Sequence, residues 1–200
     1  MKKLLLLFVL ALGCSVSLSA QSFDLKGMLG SLLSSDKITV KSLTGTWKYS
    51  APAVTFKSSN LLKKAGGAAA SSAIESKLSP YYSKAGLNKV ELTIEEDSTF
   101  TMKLSKATLK GTISAVSDSD SDANFVFNFT VGGKLPIGKM NTYITKVGSN
   151  NLTITFDVSK LVSIVEKAGS ITGSSTISGI TNVLQGYDGV CAGFKLTKSK

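Results

Sequence analysis

The chain has 200 residues, enough for one domain with a buried core. It has no histidine, and all 23 basic residues are lysine, set against 13 acidic ones for a formal charge of +10. The first absence excludes a catalytic triad built on histidine. The second removes the side chain that grips guanine and phosphate with paired hydrogen bonds, and the lysines are spread along the chain, so the charge reads as a solvated cationic surface and not as a nucleic-acid site.

Met1-Lys2-Lys3 is a short positive segment, Leu4 to Leu12 is apolar, and Ser17-Leu18-Ser19-Ala20 puts small residues where a signal peptidase reads them. Residues 1–20 therefore predict an export leader cut before Gln21, and an extracytoplasmic protein, periplasmic or secreted. The apolar run is short of the roughly 20 residues a membrane span needs. Loss of Lys2 and Lys3 lowers the formal charge from +10 to +8. Ala11-Leu12-Gly13-Cys14 offers a minority reading. It resembles a lipobox with alanine where leucine is usual, and acylation of Cys14 would attach the protein to the outer membrane. If Cys14 leaves with the leader, Cys191 stands alone. It reads as a small packed residue, with no histidine to activate it.

Residues 21–42 read as a helix and linker: Leu25, Met28, Leu29 and Leu32 share one helical face within Phe23 to Leu33. The domain proper spans 43–200. Its first strand runs from Gly45 to Phe56, with Pro52 forcing a bulge or break. A helical insertion follows near 60–86. Asn60 is its cap, and Leu62, Gly66, Ala70, Ile74 and Leu78 fall four apart. This helix is expected to stop near Ser79-Pro80, where Ser79 caps a further turn closed by Gly86.

The period then changes to two. Val90, Leu92 and Ile94 alternate with polar residues, and Glu96-Asp97-Ser98 turns the chain. Phe100, Met102 and Leu104 follow, then Leu109, Gly111, Ile113 and Ala115. After a polar turn at Asp118 to Asp122, Phe125, Phe127, Phe129 and Val131 form the most apolar face. A strand near Lys139 to Val147 and a Ser149-Asn150 turn lead to Leu152, Ile154, Phe156 and Val158. A second helical insertion, 159–185, comprises Ser159 to Gly169 and Ser174 to Leu184. Gly189 to Thr197 is the last strand, with Val190, Ala192, Phe194 and Leu196 on one side. The expected fold is mostly β: an eight-stranded antiparallel up-and-down barrel with accessory helices. Closure removes the exposed edges of so long a meander.

Gly45-Thr46-Trp47 on the first strand resembles the Gly-x-Trp that opens lipocalin barrels. With the leader, the length and the closing Tyr187-Asp188-Gly189-Val190-Cys191-Ala192-Gly193-Phe194, the chain resembles the lipocalin-like secreted proteins of unknown function found in Bacteroidetes. The resemblance covers most of Leu43 to Lys200. In lipocalins an arginine near the final strand packs across the tryptophan. Here only Lys195 or Lys198 is placed to substitute.

Several motifs point to chemistry and are better explained without it. Gly133-Lys134-Leu135-Pro136-Ile137-Gly138-Lys139 matches most of a P-loop, but Met140 stands where magnesium needs Ser or Thr. It reads as a loop between strands. Asp118, Asp120 and Asp122 alternate as in a calcium loop, but Ala123 and Phe129 replace the required glycine and glutamate. Glu95, Glu96 and Asp97 could supply a carboxylate pair, yet they fall in a hairpin turn where charge is usual. Ser34-Ser35-Asp36-Lys37 lacks the companion motifs of a serine–lysine hydrolase. Asp97-Ser98-Thr99 is a short glycosylation-like match.

The leading expectation is a non-catalytic binding protein holding a small apolar or amphipathic ligand in the barrel. Trp47, Tyr49, Phe100, Met102, Phe125, Phe127, Phe129 and Phe194 would line the pocket, and the small residues Gly111, Ala115 and Ala192 would leave room for it. Trp47 would anchor the closed end, and no cofactor or metal is implied. The first alternative is a filled barrel acting through its surface on an envelope protein or a glycan. The second is an unrecognised hydrolase.

Overall fold

Eight strands follow one another around a closed antiparallel barrel, and the last pairs with the first. The strands are β1 (Gly45–Phe56), β2 (Glu91–Ile94), β3 (Thr99–Lys103), β4 (Thr108–Ala115), β5 (Phe125–Val131), β6 (Leu135–Val147), β7 (Asn151–Asp157) and β8 (Val190–Lys198). Among the described residues, three α-helices and a 3-10 turn (Leu87–Lys89) accompany them: α1 (Val40–Leu43), α2 (Ala68–Ala85) and α3 (Ser174–Leu184). This computed structural model describes residues 38–57, 67–117, 123–131, 133–158, 160, 174–184, 187 and 189–199, all within the unit Asp36–Lys200. The expected leader, the helix at 23–33, the Asn60 cap, the Asp118 to Asp122 turn, the Ser34 to Lys37 motif and Leu161 to Gly169 lie outside the described residues.

The alternation of apolar and polar residues sets which face turns inward, because successive strand side chains point to opposite sides. The register then carries one inward row from strand to strand. Trp47 lies across from Leu92, Leu92 from Met102 and Met102 from Leu109. A second row joins Phe100, Gly111 and Phe129. These side chains, with Ile113, Phe125, Phe127, Ile154, Phe156 and Phe194, make one continuous core. Full burial of each large side chain contributes about 1.5–3 kcal/mol. A Cβ on Gly111 would strike the Asn128 carbonyl and the Phe100 ring. The space that glycine leaves is thus occupied by Phe100 and is not an empty cavity.

The connections give the barrel two different ends. At one end lie α1 and the turns β2–β3, β4–β5 and β6–β7. At the other, β1–β2 carries α2 and β7–β8 carries α3, while β3–β4 and β5–β6 are short. We refer to these as the closed end and the mouth.

Two expectations about proline are corrected. α2 does not stop at Pro80 but runs through it to Ala85, with Gly86 in a left-handed cap. Proline deletes one helical hydrogen bond and strains the preceding turn. Here Tyr82 and Ala85 beyond it are buried, which holds the helix together. The irregularity in β1 falls between Tyr49 and Ala51, not at Pro52, and the strand continues through the proline. Val54 turns its amide away from β8, and Pro52, two residues earlier, faces the same edge, where no strand pairs with it. A third correction concerns the P-loop-like segment. β6 begins at Leu135, so most of it is strand, paired with β5. Pro136 sits opposite Thr130 beside a register shift, where a missing N–H is tolerated.

Candidate functional site

The closed end is built around Trp47. Thr39 caps α1 through a reciprocal pair of contacts with Ser42, which fixes the chain just before β1. Leu43 at the end of that turn is fully buried, and its carbonyl accepts the Trp47 indole N–H at 2.8 Å. Lys146 Nζ donates to the Ser42 carbonyl at 2.8 Å and ties α1 to β6. Lys198 Nζ stands 5.4 Å from the indole centroid, within cation–π range. Of the two lysines proposed as substitutes for the lipocalin arginine, the structure selects Lys198. Gly45 explains how it gets there. Its φ of +124° is strained for other residues, and a Cβ would press on the Lys198 stem.

The centre of the barrel holds four rings in contact. Phe100 lies 4.8 Å from Phe127 and 5.1 Å from Phe129 between centroids, and Phe156 meets Phe127 edge-on at 5.8 Å. Such spacings are those of packed aromatic pairs. Met102 is buried between Leu92 and Leu109, and Phe125 is buried opposite Thr142. Of the expected pocket residues, the structure thus brings Phe100, Phe127 and Phe129 together and places Trp47 at the closed end.

The other two, Tyr49 and Phe194, meet Tyr82 of α2. The Tyr82 ring is 5.8 Å from Phe194 and 6.4 Å from Tyr49. Tyr82 is 1% exposed, and its hydroxyl has no hydrogen-bond partner among the described residues. A buried hydroxyl left unpaired costs about 1–3 kcal/mol. Thr44 Oγ1, at the closed end, is likewise a buried oxygen with no partner among the described residues. Burial pushes the Tyr49 phenol up to about 12 and raises that of Tyr82 further, because both resist becoming anions away from water.

One carboxylate fastens α2 to the barrel. β2 pairs with β1 only over Gly45 to Lys48, which leaves the second half of β1 with a free edge on that side. Glu75 fills it. One oxygen accepts the Val54 N–H at 3.1 Å, and the other accepts Lys195 Nζ at 2.6 Å. The Glu75 side chain is only 13% exposed, so the pair is better shielded from solvent than an ordinary surface bridge.

Sequence reasoning missed Tyr82, Glu75 and the site role of Phe156. The stripe Ile74, Leu78, Tyr82 continues past Pro80, which by local rules ends a helix. Nothing local marks Glu75. The acidic residues Glu95, Glu96 and Asp97 lie exposed between β2 and β3, at the closed end. Asp97 accepts the Thr99 hydroxyl and amide, which lowers its pKa. Cys191 is buried, and desolvation pushes its thiol up to about 11, unlike an activated nucleophile. Among the described residues, no three potential metal ligands gather and no helix is long and apolar enough to cross a membrane.

A closed eight-stranded meander with Gly-x-Trp on β1, an indole N–H bonded to the preceding turn and a cation over the ring defines a lipocalin-like barrel. The chain belongs to the lipocalin-like domain family DUF4923, whose model matches residues 20–198. Among solved structures, it is similar to a DUF4847 family protein from Bacteroides vulgatus, at 15% identity over 78% of this chain and 94% of that one, with a TM-score of 0.33. No curated protein matches it.

Proposed function

We propose that this is an exported, non-catalytic binding protein whose ligand, a small apolar or amphipathic molecule, is held at the mouth of the barrel beneath α2. The observation that carries this reading is the Tyr82 hydroxyl, enclosed among Tyr49 and Phe194 with nothing to bond. A ligand with an apolar body and one polar group satisfies such a site on both counts. The rings at the centre already touch, so the ligand makes its room at the mouth by moving α2, and Glu75 is the contact that must yield. Phe194, Tyr49 and Tyr82 then contact the ligand. Export is supported by the pattern of residues 1–20. A non-catalytic role is supported by the lack of histidine and by the solvated setting of Glu95, Glu96 and Asp97.

The test is calorimetric titration of the purified protein with oleate, cholate and retinol. At least one is expected to bind saturably, and Tyr82→Phe is expected to weaken binding of a ligand that carries a hydroxyl or carboxylate by about tenfold, near 1.4 kcal/mol. No saturable binding of any of the three, or binding unchanged in Tyr82→Phe and Phe194→Ala, would remove the proposal.

A further inference from the structure

The two helices that cover the mouth form a second feature on their outer side. An open groove of about 490 Å³ runs between α2 and α3, lined by Lys77 and Tyr81 from α2, Gly179, Asn182 and Val183 from α3, and Tyr187 just beyond it. The volume falls within the roughly 300–1,000 Å³ usual for small-molecule sites. We propose that this groove binds an acidic saccharide of one or two sugar rings, at a site separate from the barrel mouth.

The groove depends on Gly179. A Cβ at this position would run into the Tyr81 ring, so only glycine lets α3 close on α2 with that ring between them. Tyr81 is half-buried and held in place, with Lys84 Nζ 5.9 Å from its centroid. Rigid phenol rings cost little ordering entropy and offer an apolar body with a polar tip. Sugar rings need both, because their C–H faces are apolar and their hydroxyls require hydrogen-bond partners. Tyr81, Tyr187 and Val183 supply the apolar surface. The exposed Asn182 amide supplies one acceptor and two N–H donors.

Charge selects the acidic form. Among the described residues, none of the six that line the groove is acidic, and Lys77 brings an ammonium to the rim. Glu75, on the same helix, is committed to Val54 and Lys195 and so does not neutralise it. Lys84 adds a second positive charge beside Tyr81. A lysine recognises a carboxylate as a point charge without demanding planar geometry, which suits a flexible uronic acid.

The experiment is an amide-resolved NMR titration of the purified protein with digalacturonic acid, cellobiose and sodium sulfate. Digalacturonic acid is expected to shift the Gly179 and Asn182 amides saturably, with cellobiose at least about tenfold weaker and sulfate giving no saturable shift there. Lys77→Ala and Asn182→Ala, both at exposed positions, are expected to weaken digalacturonate about tenfold or more, whereas Tyr82→Phe leaves it unchanged. Three results would each overturn the proposal: no saturable shift with digalacturonate, equal binding of cellobiose, or binding unaffected by both exposed variants. Tyr82→Phe keeps the two sites apart, since it acts on the mouth alone.

Discussion

Among the described residues, each end of this barrel buries one unpartnered hydroxyl, Thr44 beside α1 and Tyr82 under α2, but the two ends are fastened differently. At the closed end the indole N–H of Trp47 bonds the Leu43 carbonyl, Lys146 bonds the Ser42 carbonyl, and Lys198 stands over the ring. At the mouth a tyrosine hydroxyl is buried without a partner, and a single glutamate closes the edge left free by a short β2. One end is tied directly to the sheet. The other is covered by inserted helices. The contrast teaches that stability and adaptability are separated along the barrel axis, as expected where binding regions are drawn from the less stable parts of a fold.

The contrast can be broken most forcefully at the closed end. Trp47→Ala removes a fully buried indole and is expected to cost about 3–5 kcal/mol in urea unfolding, the usual range for large aromatic truncations. A loss below about 1 kcal/mol would show that the closed end is not the anchor. Glu75→Ala is expected to cost about 1–3 kcal/mol by leaving the Val54 amide unpaired. Hydrogen exchange at Val54 should then speed up more than exchange at Leu92 or Phe127, which lie within paired strands. Uniform acceleration would mean that Glu75 supports the whole barrel and not the mouth alone.

Tyr82→Phe sharpens the comparison from the other side. Deleting an unpartnered hydroxyl is expected to raise stability by about 1 kcal/mol while weakening ligand binding, a trade in which a purely structural tyrosine would not take part. The same residue predicts an alkaline limit. Free phenols ionise near pH 10, but burial pushes Tyr49 up to about 12 in the folded chain and raises Tyr82 further. Above pH 10 the unfolded chain therefore binds fewer protons than the folded one. The stabilisation is complete below that pH and is lost as pH rises through the folded values. Cys191 adds a loss of the same sign between its ordinary 9.0 and about 11. Combining Tyr49→Phe with Tyr82→Phe should flatten the fall in melting temperature above pH 10. The smallest effect belongs to Lys198→Met, expected to cost about 0.5–1 kcal/mol through its cation–π contact, with Lys198→Arg restoring it.

Much of this architecture is legible residue by residue. The alternation within Val90 to Phe129 and Leu152 to Phe156 places those strands, because inward and outward positions differ in chemistry along them. Ser174 to Leu184 is helical as its pattern indicates. The errors cluster where a local rule meets a tertiary force. Pro80 is a helix breaker in isolation, but burial of Tyr82 and Ala85 outweighs one lost hydrogen bond. Pro136 and the glycines around it look like a loop, but pairing with β5 makes a strand of them. The site was harder to read. Phe100, Phe127 and Phe129 are visible as an apolar face, but whether such a face lines a cavity or fills one depends on where neighbouring rings sit.

The amino-acid sequence by itself determined the barrel, its order of strands and the tryptophan at its foot, because side-chain period and turn chemistry are properties of adjacent residues. Only the tertiary structure decided that Lys198 and not Lys195 stands over Trp47, that Glu75 closes the edge of β1, and that the Tyr82 hydroxyl is stranded in the mouth. Each of these joins residues distant in the chain. Such contacts follow from barrel closure and from the seating of α2, which no local pattern encodes.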